Sequence, residues 1–127
     1  GAIYGYMNQY EESIAYYQKA LAGYQQLGYQ QYTSSAIFGI ATSHRYWGKY
    51  QEALKYFRQH EQLLAHTTRE GSKFYGYYGI ATTLAAMNNC DAALPAINKA
   101  VNTEGPKDYK AELYCTATRL NRHQLAN

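Results

Sequence analysis

The feature that most constrains the fold of this chain is an internal repeat, in which a segment beginning at position 38 recurs from position 78. Residues 38–42 read Phe-Gly-Ile-Ala-Thr, and residues 78–82 read Tyr-Gly-Ile-Ala-Thr. At the same shift, the pair Ala53-Leu54 recurs as Ala93-Leu94. Several independent matches at one spacing are typical of a tandem array, in which each unit buries its apolar face against its neighbours.

Each unit of the repeat carries two helical patterns. Ile37, Ile40 and His44 recur at spacings of three and four residues, and Leu54 and Phe57 belong to a second stripe of the same kind. Such spacing places apolar side chains on one face of a helix. The sequence therefore predicts an all-α fold of antiparallel helix hairpins, stacked as an α-solenoid. The paired helices are predicted to be separated by turns at three residues that tolerate a left-handed backbone conformation: Asn8, Gly48 and Asn88.

These patterns divide the chain into a partial first hairpin, two complete hairpins and a last helix. We expect one repeat domain over residues 1–127. Its parts are predicted at residues 1–28, 29–68, 72–103 and 108–125. Because this chain begins within a hairpin and ends after an unpaired helix, we expect it to be a fragment of a longer protein. The alternative is a small complete domain whose ends pack on another copy of itself.

The turn between the two helices of a hairpin carries a recognisable sequence pattern. Residues 47–57 read Trp-Gly-Lys-Tyr-Gln-Glu-Ala-Leu-Lys-Tyr-Phe, and residues 10–21 read Tyr-Glu-Glu-Ser-Ile-Ala-Tyr-Tyr-Gln-Lys-Ala-Leu. Both segments resemble the tetratricopeptide repeat family, and residues 88–94 are a weaker copy with Cys90 where the family prefers Tyr. The common unit of that family has about 34 residues, and the unit here has about 40 residues. The longer unit looks like the extended variants found in regulatory proteins, including bacterial signalling proteins.

The resemblance implies a right-handed α-solenoid and a concave groove that binds a peptide or a helix. The first helix of each hairpin lines that groove, and an earlier hairpin would add Ala2, Gly5 and Tyr6. Some of the tyrosines would instead pack between hairpins. The groove positions that the resemblance assigns to the two complete hairpins are Phe38, Thr42, Arg45, Tyr46, Tyr75, Tyr78 and Thr82.

The groove positions argue against a ligand held by its terminal carboxylate. Members of the family that clamp such a carboxylate present several Lys, Arg and Asn side chains. Arg45 is the lone cation among the corresponding positions here. Because a clamp needs several converging donors, we expect a different ligand.

Composition and spacing exclude several other classes of function. A net charge of +3 is too small to indicate a nucleic-acid surface. The chain shows no phosphate-binding loop or nucleophile motif, so we expect no enzymatic activity and no cofactor. Residues 20–44 contain no Asp, Glu, Lys or Arg, but their glutamines and serines are too polar for lipid. The four histidines are too scattered for a metal site: His44, His60, His66 and His123.

Two functional hypotheses remain for this sequence. The first is a non-catalytic protein-interaction module that binds a peptide or helix in its groove. The second is a sensory or regulatory region that controls an attached output domain, such as a bacterial nucleotide cyclase or transcription regulator. We expect a cytoplasmic protein, because Cys90 and Cys115 suit free thiols in a reducing compartment. Self-association through exposed terminal hairpins remains open.

Overall fold

A computed structural model describes the backbone of residues 2–65 and 70–126, and the side chains of residues 9–29, 32–65 and 73–122. These parts of the chain form helices and contain no strand. The predicted all-α fold of antiparallel helix hairpins is therefore confirmed. The helices are α1 (Ala2–Leu27), α2 (Gln30–Tyr46), α3 (Tyr50–Leu63), α4 (Glu70–Ala86), α5 (Cys90–Val101) and α6 (Lys107–Ala126).

The helices group into two compact units, residues 1–63 and residues 64–127. In the first unit, α2 contacts both α1 and α3. In the second unit, α4, α5 and α6 all contact one another. The hairpins α2–α3 and α4–α5 correspond to the second and third predicted hairpins, and α2 and α4 begin at equivalent positions of the repeat, Gln30 and Glu70. Continuation of one solenoid through both units stays a prediction.

Tight turns with a left-handed residue join the paired helices. Gly48 has a φ of 83° and Asn88 a φ of 57°. After α2, Gly48 donates its N–H to the carbonyl of Arg45 at 3.0 Å, and Lys49 donates to that of His44 at 2.8 Å. These two hydrogen bonds give partners to backbone carbonyls in the last turn of α2, which have no acceptor role within the helix itself. The predicted turns at Gly48 and Asn88 are thus confirmed.

The predicted break at Asn8 is wrong, because α1 continues through it from Ala2 to Leu27. Asparagine costs only a few tenths of a kcal/mol in a helix interior. Continuing the helix keeps its backbone hydrogen bonds, so at Asn8 the continuous helix is favoured over the turn.

Other predicted boundaries agree with the structure more closely. The boundary predicted between residues 28 and 29 falls between α1 and α2, where Gly28 has a φ of 74°. The gap predicted between the third hairpin and the last helix lies between α5 and α6. The third hairpin begins earlier than predicted, because α4 starts at Glu70 and residues 70 and 71 of the predicted loop are helical. Of that predicted loop, Arg69 lies outside the described residues.

Small residues allow the helices of each unit to approach closely. Ala41 and Ala53 in the first unit have no exposed surface, and the same is true of Ala81 and Ala93 in the second. Larger side chains at these positions would separate the helices and leave cavities beside them. Small residues at equivalent positions of the repeat therefore lie at the buried faces of both units.

None of the helices in the described part of the chain is both long enough and apolar enough to cross a bilayer.

The two hairpin turns allow a matched test of backbone strain. Gly48→Ala places a side chain at positive φ, and we expect it to lower the free energy of unfolding by about 1 kcal/mol. Asn88→Gly removes a side chain from the equivalent turn, so we expect no loss of stability. Urea unfolding followed by circular dichroism measures both. A Gly48→Ala variant as stable as the parent chain would contradict the role given to this turn.

Candidate functional site

The first unit contains a pocket of about 400 Å³ between α1 and α2. It is mainly apolar, and polar groups without a formal charge line part of its wall. None of the described residues that line it is Asp, Glu, Lys, Arg or His. The lining residues are Gln9, Tyr10, Ser13 and Tyr17 from α1, and Phe38, Gly39, Thr42, Ser43 and Tyr46 from α2.

The pocket has its shape because α1 and α2 meet at a glycine. A Cβ atom on Gly39 would lie 2.6 Å from the ring of Tyr17. Any side chain at position 39 would therefore displace that ring. One helical turn further along, the Ser43 hydroxyl donates to the Ser13 hydroxyl at 3.3 Å. These contacts set the spacing of the two walls.

Phe38 is held from behind by side chains of α3. Its ring lies edge-on to that of Phe57, with 5.6 Å between centroids. The ring of His60 lies 5.4 Å from Phe38. Since Phe57 is fully buried and His60 nearly so, the wall formed by Phe38 is backed by the core of the first unit.

His60 is a buried, uncharged histidine. Burial lowers its pKa from 6.5 to about 4, and the nearby charge of Glu61 offsets part of that decrease. Its Nδ1 atom is buried and makes no hydrogen bond. The equivalent positions of the neighbouring repeats hold Ala20 and Ala100, so the middle repeat carries a ring where the others carry a methyl group.

Thr42 differs from its repeat partner in how its hydroxyl is used. The Thr82 hydroxyl donates to the carbonyl of Tyr78, four residues earlier, at 2.9 Å. The Thr42 hydroxyl oxygen is buried without a hydrogen-bond partner. An unpaired buried hydroxyl carries a desolvation penalty. Thr42 therefore keeps hydrogen-bonding capacity beside the pocket that Thr82 uses internally.

The mouth of the pocket has an exposed tyrosine with a cation against it. Tyr46 is 65% exposed. The guanidinium carbon of Arg45 lies 4.9 Å from the centroid of the Tyr46 ring, a distance typical of a cation–π contact. Arg45 thus borders the pocket through Tyr46, and is not among the residues that line it.

In the second unit, the predicted groove tyrosines join α4 to α6. The Tyr78 hydroxyl donates to a carboxylate oxygen of Glu112 at 2.7 Å. The Tyr78 ring lies 5.0 Å from that of Tyr109 and 6.0 Å from that of Phe74. Tyr75 also contacts Tyr109, with 6.0 Å between centroids. Tyr78 therefore makes structural contacts within its own unit.

The structure brings together only some of the predicted groove residues. Phe38, Thr42 and Tyr46 line one pocket, and Arg45 lies at its border. Tyr75, Tyr78 and Thr82 lie on α4 in the other unit. The side chains of Ala2, Gly5 and Tyr6 lie outside the described residues. Binding of a partner at any of these positions stays a prediction.

The residues that sequence reasoning missed are those that α1 contributes. Neither Tyr10 nor Tyr17 was among the predicted groove positions. Their spacing with Ser13, at intervals of three and four residues, is the signal of a shared helical face. That spacing alone does not predict which neighbouring helix packs against this face of α1.

Two other predicted kinds of site can be compared with the structure. The described residues hold no cluster of three or more His, Cys, Asp or Glu that could bind a metal ion, while His66 and the His123 side chain lie outside them. Cys90 is buried, Cys115 is exposed, and both thiols are free. The Cys90 thiol faces the carbonyl of Leu120 at 4.0 Å.

Comparison with known proteins finds one family in the N-terminal half. The family described as Tetratricopeptide repeat matches residues 1–65, slightly more than half of the 127-residue chain. No curated protein matches the chain. The family match includes every residue that lines the α1–α2 pocket.

The buried state of His60 predicts a pH-dependent stability. Its folded pKa of about 4 lies below the usual 6.5, so the unfolded chain takes up a proton first as the pH falls. Between pH 7 and 5 we expect this residue to reduce the free energy of unfolding by about 2 kcal/mol. The loss is complete below the folded pKa.

The variant His60→Leu isolates this effect from the other histidines. Urea unfolding of parent and variant at pH 7 and pH 5 should show a smaller decrease in the variant. An equal decrease in both proteins would show that His60 does not titrate as the burial of its ring implies.

The contact between Tyr78 and Glu112 gives a second prediction. Tyr78→Phe removes only the hydroxyl, and we expect a loss of about 0.5–1 kcal/mol because the bond is exposed to solvent. Glu112→Gln keeps an acceptor and should cost less. Thermal unfolding of both single variants and the double variant measures the coupling. Strictly additive effects would show that the two side chains do not interact in solution.

Proposed function

Because the chain belongs to the tetratricopeptide repeat family, we propose that it is a non-catalytic module that binds a segment of a partner protein between α1 and α2. Tetratricopeptide repeats generally mediate protein–protein interactions. The observation that carries the proposal is the α1–α2 pocket, lined by Phe38, Thr42 and Tyr46. The resemblance to the tetratricopeptide repeat family had assigned these three residues to the groove.

The pocket has properties that suit part of a polypeptide. It is concave and mainly apolar, and a few hydroxyl and amide groups can orient a ligand, as in most binding sites. Tyr46 offers a large, rigid and exposed surface at its mouth. Its wall at Phe38 is supported by Phe57, so the surface is preorganised and little conformational entropy is lost on binding.

The regulatory alternative is supported by the repeat spacing. Helices α2 and α4 begin at equivalent positions of the repeat, as do α3 and α5, and the extended unit resembles those of bacterial signalling proteins. In that case the same pocket would receive a signal-bearing partner or an attached domain. Measuring whether the full-length gene product has an output activity, and whether Tyr46→Ala alters it, tests this alternative.

We also propose that the protein is located in the cytoplasm. It is supported by the free thiols of Cys90 and the exposed Cys115, since exposed thiols persist most readily in a reducing compartment.

The experiment that tests the interaction compares two exposed tyrosines. Tyr46 at the pocket and Tyr114 on α6 are 65% and 58% exposed, so neither change should unfold the chain. We expect Tyr46→Ala to reduce recovery of specific partners from the native lysate about tenfold, the effect of losing about 1.4 kcal/mol. Tyr114→Ala should leave recovery unchanged. Quantitative mass spectrometry measures both.

Equal recovery with the parent chain and Tyr46→Ala would place the partner elsewhere. Loss of recovery with Tyr114→Ala alone would move the interface to the second unit.

A further inference from the structure

We infer that the α1–α2 pocket receives one uncharged aromatic side chain of the partner, and that it discriminates against charged side chains at that position. This inference rests on the proposed function and adds the chemistry of the ligand. Three properties of the pocket carry it: its lack of charge, the aromatic character of its walls, and its volume.

The lining lacks the groups that would compensate a charged ligand. None of the described lining residues has an ionised side chain near neutral pH. A carboxylate or ammonium group entering the pocket would lose hydration without gaining an opposite charge. The guanidinium of Arg45 lies against the Tyr46 ring at the mouth of the pocket and does not line its interior, so a carboxylate buried inside the pocket would have no cation in contact with it. Electrostatics therefore favours a neutral occupant.

The walls favour an aromatic occupant over an aliphatic one. Four of the nine described residues that line the pocket are aromatic, two on each helix: Tyr10 and Tyr17, Phe38 and Tyr46. Aromatic rings gain additional attraction from one another in offset or edge-to-face arrangements. The chain already uses such arrangements here, since Phe38 meets Phe57 edge-on and Tyr10 stacks on Trp47 at 6.3 Å.

The volume limits how much of the partner can enter. About 400 Å³ lies near the lower end of the range for small-ligand sites. That space holds one aromatic side chain and its adjoining backbone, but not a whole helix. The hydroxyl pair of Ser13 and Ser43 and the amide of Gln9 at the same pocket are neutral groups that can bond the adjoining peptide units.

The test uses capped amino acids as probes, so that no partner needs to be identified first. The isotope-labelled 127-residue chain is titrated with N-acetyl-phenylalaninamide, N-acetyl-leucinamide, N-acetyl-aspartamide and N-acetyl-lysinamide. Backbone amide shifts of Gly39, Thr42 and Ser43 report occupancy of the pocket. We expect the phenylalanine probe to bind at least threefold more tightly than the leucine probe. We expect the aspartate and lysine probes to cause no saturable shift.

Two glycine variants provide matched controls. Gly39→Ala puts a methyl group 2.6 Å from the Tyr17 ring, whereas a Cβ on Gly23 meets nothing within 4 Å. We expect Gly39→Ala to abolish binding of the phenylalanine probe and Gly23→Ala to leave it unchanged. If Gly39→Ala loses its dispersed spectrum, Tyr46→Ala takes its place. Because Tyr46 is exposed, that variant keeps the fold, and we expect weaker binding.

The outcomes separate the inference from the proposed function. Binding of the leucine, aspartate or lysine probe as tight as that of the phenylalanine probe, or no binding of any probe, overturns the inference even if partner recovery depends on Tyr46. Aromatic-selective binding that Gly39→Ala abolishes supports the inference. If partner recovery is then insensitive to Tyr46→Ala, the proposed function fails while the chemistry of the pocket stands.

Discussion

The close approach of α1 and α2 at Gly39 is the contact on which the candidate site depends. Without a Cβ at this position, the Tyr17 ring lies directly against the backbone of α2. A larger residue would push Tyr17 outward and change the distance between the two walls of the pocket. The same principle operates throughout both units, where buried alanines such as Ala53 and Ala93 have no exposed surface. Small residues therefore determine where helices touch, and the pocket forms beside one such contact.

The two units use their repeated tyrosines in different ways. In the first unit, Tyr10, Tyr17 and Tyr46 surround a space that other residues leave open. In the second unit, the Tyr78 hydroxyl donates a hydrogen bond to Glu112, and the Tyr78 ring packs against the ring of Tyr109. The repeat preserves the position of an aromatic residue on the helix, but its role depends on the neighbouring helix. Part of the excess of 16 tyrosines is thus structural, and part surrounds the candidate site.

Local and non-local features of the fold were predictable to different degrees. The hairpin turns at Gly48 and Asn88 could be predicted because a left-handed residue type and a flanking helical pattern suffice to define them. Asn8 has a similar residue type at the same repeat position, yet the helix continues through it. Because asparagine costs only a few tenths of a kcal/mol in a helix interior, such a residue permits a turn but does not require one, and α1 continues through Asn8. The residue type alone was therefore not sufficient to predict a turn between two helices.

The sequence by itself determined the all-α hairpins and the buried apolar stripes, since these follow from periodicity and from the internal repeat. The three pocket residues Phe38, Thr42 and Tyr46 had been assigned to a groove only through the resemblance to the tetratricopeptide repeat family. Only the tertiary structure decided that α1 supplies the opposite wall. It also decided that His60 is a buried uncharged ring behind Phe38. The physical reason is that periodicity specifies which side chains share a helical face. The helix that this face meets, and the space left between them, depend on contacts between residues distant in the chain.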